Sequence, residues 1–241
     1  INSRQGANME KSNAYKYGAI AGVTGAISLL AGTLLHPSGA DPNEPHAAFT
    51  EYAAHHDWVA VHLIQLLGVA LMVISLVLLS KMMTNGRGEI MAYMGTIGAA
   101  ASLALAAALQ AVDGIALKVM VDHWANASVA DKDMLFYAAF GVRQIEVGFA
   151  STLSIILGCT VIIYGLAQRS DDNFPNGMAW LAIIGGLGTA IAGIVMSQTG
   201  FSDTTMIINM PSNLLLLLWM VLTGIWMWKT ASAGNIRLQV K

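Results

Sequence analysis

Six long apolar stretches limit what this chain can fold into. They cover residues 17–35, 58–80, 90–109 and onward, 147–167, 178–197 and 214–228. A helix needs about 20 such residues to cross the hydrocarbon of a bilayer. The predicted fold class is therefore all-α, a polytopic membrane bundle of six transmembrane helices. Residues 134–146 read as a helical approach to the fourth span. The sixth run is short, and Pro211 ahead of it either caps a short helix or kinks a longer one. Ser212 and Asn213 before a leucine run read as a helix start. That favours a short span with residues 204–210 packed on neighbours.

Composition agrees. The 241 residues are 56% hydrophobic and 11% charged, against about 25% charged in soluble domains. A soluble globule and a disordered chain are excluded. A net charge of -2 provides no field for phosphate, so nucleic acid is not a partner. The lone Cys159 lies mid-span, cannot build an internal disulfide, and reads as a small apolar filler.

Basic residues set the orientation. Arg4, Lys11, Lys16, Lys81, Arg87, Arg169, Lys229, Arg237 and Lys241 all fall on one side of a six-span arrangement. The other side has Lys132, with Lys118 and Arg143 in helix extensions. By the positive-inside pattern both termini are expected in the cytoplasm. The chain then divides into a cytoplasmic segment 1–16, a membrane domain 17–228 and a cytoplasmic tail 229–241. Met9 opens a natural-looking start, MEKSNAYKYG, so residues 1–8 are expected to be an added or processed end. The first apolar run is longer than a signal-peptide core and lacks a small-x-small cleavage site, so it reads as an uncleaved span.

Small residues recur at helical spacing: Gly18 and Gly22 on the first span, Ala150, Ser154 and Gly158 on the fourth, and Gly185, Thr189 and Gly193 on the fifth. Such stripes let helices approach closely. They serve either packing within the bundle or contact with another membrane subunit.

Chemistry has few places to reside. No ionisable residue falls near the midpoint of any span, which argues against a proton-coupled pump. Near the outer boundary, however, three spans deliver polar groups to one depth. His62 and Gln65 share a face of the second, and Gln110 and Asp113 a face of the third. Arg143 and Glu146 form an i,i+3 pair on the fourth. This layer makes His62, Asp113, Arg143 and Glu146 candidates for binding a metal, haem or quinone headgroup. The ordinary alternative is that Arg143 pairs with Glu146 or Asp113 while His62 bonds a backbone carbonyl.

The first outer loop, HPSGADPNEPHAAFTEYAAHHDW, adds His36, His46, His55 and His56. Pro45 can open a helix there, with Phe49, Tyr52, Ala53 and His56 on one face, giving an amphipathic segment in the membrane interface. For a metal, His55, His62 and His123 are the candidate imidazoles, with Asp113 as carboxylate. No HExxH, His-x-x-x-His or cysteine set specifies one, and the remaining histidines read as interfacial side chains. CxxCH, P-loop, Rossmann and nucleophile-elbow patterns are all absent, so catalytic activity of its own is not expected.

The loop HPSGADPNEPH followed by an apolar span resembles bacterial membrane proteins of unknown function. It points to a bacterial cytoplasmic (inner) membrane without bringing an activity. The sequence thus favours an accessory or scaffolding subunit, embedded in lipid beside other membrane subunits. An outer-face metal, haem or quinone site is the alternative, and a small-solute transporter ranks third.

Overall fold

A computed structural model describes the backbone of residues 3–83 and 86–239, and the side chains of 12–83 and 86–233. The side chains of Arg4, Lys11, Arg237 and Lys241, four members of the charge pattern, lie outside the described residues. The elements are α1 (Ser3–Leu35), α2 (Pro45–Ala54), α3 (Trp58–Ser80) and α4 (Gly86–Gln110). A π-helical turn (Ala111–Leu117) then leads into α5 (Lys118–Ala125), α6 (Lys132–Arg169), α7 (Asn176–Thr199) and α8 (Asp203–Gln239). No strand occurs among the described residues. Among the described residues six helical segments are long and apolar enough to cross a membrane, and the chain is an integral membrane helical bundle.

The six form a closed ring in chain order. α1 packs on α3, α3 on α4, α4 on α6, α6 on α7, α7 on α8, and α8 returns to α1. Large apolar side chains such as Ile27, Leu67, Ile97, Ile184 and Ile194 stay exposed on the outside of this ring. In water such a surface drives aggregation; in lipid it is the solvated face. Cys159 also lies on this exposed side rather than filling the interior.

The small-residue stripes are spent inside the ring. A Cβ on Gly158 would stand 2.5 Å from the Gly186 carbonyl oxygen, and one on Gly186 2.7 Å from that of Gly158. A Cβ on Gly193 would stand 2.7 Å from the Ser151 carbonyl, and one on Gly22 2.6 Å from Ser75 Oγ. α6, α7 and α1 approach their neighbours this closely only because those side chains are missing.

Helix α8 corrects the expected short sixth span. It begins at Asp203 and runs through Pro211 without a break, so Ser212 and Asn213 lie inside a helix instead of starting one. Proline has no N–H for the carbonyl four residues back, that of Ile207, while in the next position Ser212 Oγ donates to the Ile208 carbonyl at 2.6 Å. Membrane helices tolerate proline where packed neighbours and local adjustment of the turn hold the helix together.

The two ends of the ring differ. At the end holding the α6–α7 turn, Arg169 lies over Trp180 at 5.4 Å and Lys16 over Trp228 at 5.9 Å. At the other end α6 projects outward. Its 38 residues reach about 57 Å at 1.5 Å per residue, well beyond hydrocarbon of about 30 Å. Helix α5 packs along this projection and α2 packs on α5. Ala48, Phe49 and Tyr52 of α2 are buried with Trp58, Leu117, Val121, Trp124 and Ala139. The apolar face of α2 therefore meets protein, and His56 is exposed beyond its end.

Candidate functional site

Beneath this cap the outer layer assembles. Trp58 opens α3, and its Nε1 donates to the Asp113 carbonyl at 3.0 Å, tying the start of α3 to the π-turn. One turn on, His62 is 1% exposed. Its Nδ1 meets the Trp58 carbonyl at 2.7 Å and its Nε2 meets Asp113 Oδ2 at 3.0 Å. A π-turn carries an extra residue per turn, and such turns gather at functional sites. Gly114 lets this one come close: a Cβ there would lie 2.6 Å from His62 Cβ. One turn deeper, Gln110 Nε2 donates to Gln65 Oε1 at 3.2 Å.

The carbonyl of Trp58 can only accept, so His62 Nδ1 carries the proton. In the neutral ring, Nε2 is then a bare lone pair, and it faces a carboxylate oxygen. Asp113 Oδ1 is buried without a protein partner.

His36 joins this pair, although sequence reasoning left it among the loop histidines. Its ring lies 5.1 Å from that of His62 and 4.9 Å from that of Trp58. His36 Nδ1 meets the Pro37 carbonyl at 2.8 Å. One donor atom each from His36, His62 and Asp113 falls within 4.8 Å of the others. Burial pushes the His36 imidazole below its ordinary value, against the opposing pull of Asp113. Trp58 also packs 4.6 Å from His62. His55 and His123 do not belong to this group. His55 caps the end of α2, and His123 is exposed on α5.

Arg143 and Glu146 lie beside it, 6% and 2% exposed. Arg143 Nη1 donates to both Glu146 oxygens at 2.6 Å, and Nη2 donates to the Pro42 carbonyl at 3.3 Å. The guanidinium also lies over Phe201 at 4.7 Å and Tyr52 at 5.7 Å. Burial raises the Tyr52 phenol to about 12 despite the nearby Arg143 charge. The chain of residues 36–44 is pinned over the layer. Glu51 accepts the amides of Gly39 at 2.9 Å and Ala40 at 3.0 Å.

Compared with known protein families, curated proteins and solved structures, the chain matches none.

Proposed function

We propose that this chain binds a small ligand in the polar layer at the outer face of a bacterial cytoplasmic membrane, with both termini in the cytoplasm. His62, Asp113, Arg143 and Glu146 form its wall, and α2 forms a roof at the membrane interface. One observation carries this reading. Four ionisable side chains from three spans are gathered at one depth, and one carboxylate oxygen among them has no protein partner. Burying such groups costs several kcal/mol, and a bundle built only to pack has no use for that cost. Of metal, haem and quinone, an ion best fits the close spacing of the two imidazoles.

Sequence alone ranks an accessory subunit first. The stripes that argue for it are occupied by internal contacts, Gly158 against Gly186 and Gly193 against Ser151, so the ligand-site reading takes precedence. The test is purification in mild detergent followed by native mass spectrometry and elemental analysis. A retained ion or molecule in the wild type, lost in His62→Ala, is the expected result. A bare polypeptide mass accompanied by a stoichiometric protein partner contradicts it and favours the accessory role.

A further inference from the structure

We infer that His36, His62 and Asp113 form a site for a divalent first-row transition metal, with Zn2+ the ion to test first. The inference rests on the ligand-site reading and names the ligand class. Its basis is the accounting of protons and lone pairs. With Nδ1 of His62 donating to the Trp58 carbonyl, Nε2 and Asp113 Oδ2 are two acceptors 3.0 Å apart. Two lone pairs at that distance repel unless a positive particle, a proton or a metal ion, lies between them.

Three features favour the metal. A proton needs one pair of acceptors, whereas here a third donor atom, on His36, lies within 4.8 Å of the other two. Both histidines give their second ring nitrogen to a backbone carbonyl, Trp58 for His62 and Pro37 for His36. That is the outer support by which proteins fix the tautomer and orientation of metal-binding imidazoles. The remaining carboxylate oxygen, Asp113 Oδ1, is buried and unpartnered, available for a second bond to the ion.

Charge agrees, because the Arg143 guanidinium beside the group is already paired with Glu146. Two imidazoles and one carboxylate are borderline ligands that suit Zn2+ and its neighbours in the first row. A tetrahedral ion with bonds of about 2.0–2.1 Å holds its donors about 3.3 Å apart. At 3.0 Å the His62–Asp113 pair is slightly closer than that. His36, the first residue after α1, brings the third donor within 4.8 Å of the other two.

The test uses the full chain in mild detergent, stripped by a chelator, dialysed, and titrated with Zn2+. One equivalent is expected to bind, with affinity reduced at least about tenfold in His36→Gln, His62→Ala and Asp113→Ala. His123→Ala, outside the group, is expected to bind like the wild type. Co2+ in place of Zn2+ is expected to give a visible absorption band that the three variants lack. Should His62→Ala fail to fold, half-buried His36→Gln carries the test. Absence of saturable Zn2+ binding, or unchanged binding in His36→Gln and Asp113→Ala, overturns the metal site. A wild type that refuses Zn2+ but retains an organic molecule of defined mass overturns the metal site and leaves the ligand-site reading standing. One that retains neither overturns both.

Discussion

Arg143 and Glu146, one helical turn apart on α6, form an ion pair in which a single guanidinium nitrogen reaches both carboxylate oxygens at 2.6 Å. Both side chains are more than nine-tenths buried. Removing one partner of such a pair strands the other charge. Arg143→Ala is expected to destabilise the folded protein by about 3–5 kcal/mol. The apolar double variant Arg143→Met, Glu146→Leu is expected to recover most of that loss, since replacing both members of a buried pair is often near neutral. Denaturant unfolding in mixed micelles measures both. A loss below about 1 kcal/mol in Arg143→Ala matches an exposed pair and contradicts the burial.

Gly114 sets the distance between the π-turn and α3. Its missing Cβ would stand 2.6 Å from His62 Cβ and 3.0 Å from Cγ. Gly114→Ala therefore has to push His62 away from Asp113, at a cost of about 1–3 kcal/mol for overpacking. Thermal unfolding tests the cost, and loss of any ligand retained by the wild type tests the displacement. An unshifted melting curve with full retention means that the two elements are less tightly apposed.

Glu51 holds residues 36–44 over the site through two amides. Glu51→Ala is expected to leave global stability almost intact, because the change is confined to a surface loop. Hydrogen exchange at the Gly39 and Ala40 amides is expected to accelerate. Unchanged exchange at these two positions contradicts the pinning.

Tyr52 supplies a pH signature. Its phenol ionises near about 10 when unfolded, but holds its proton to about 12 in the fold, chiefly through burial. Folding therefore binds a proton between these values. The contribution is full below pH 10 and is lost as pH rises towards 12. Unfolding free energy in detergent should fall across that window in the wild type, and less steeply in Tyr52→Phe. Equal slopes place the phenol in contact with water.

Much of the bundle is legible in the sequence because lipid imposes a simple length and polarity rule. The apolar runs at 17–35, 58–80 and 178–197 sit inside α1, α3 and α7, and residues 134–146 continue α6 as helix. Pro211 misleads for a physical reason: its cost depends on whether packed neighbours hold the turn around it, which no local pattern records. The π-turn at Ala111–Leu117 is equally silent, although Asp113-Gly114 is where α3 approaches. Depth along each span brings His62, Asp113, Arg143 and Glu146 to one layer. His36 is missed because loop residues have no periodicity to orient them. Its signal is its position directly after the first apolar run, at the same outer boundary as His62.

Asp113 opposite His62 decides whether the layer is a cation site or a structural ion pair. Asp113→Asn replaces the carboxylate that faces His62 Nε2 at 3.0 Å with an amide that can donate to that nitrogen. The measurement is the Tm of chelator-stripped protein at pH 8. As a cation site, the stripped Asp113→Asn variant melts at or above the wild type, through a gain of about 1 kcal/mol from the new hydrogen bond. Added Zn2+ then stabilises only the wild type. A stripped variant that melts several degrees lower, with a loss of about 3–5 kcal/mol, identifies a structural ion pair and contradicts the cation site.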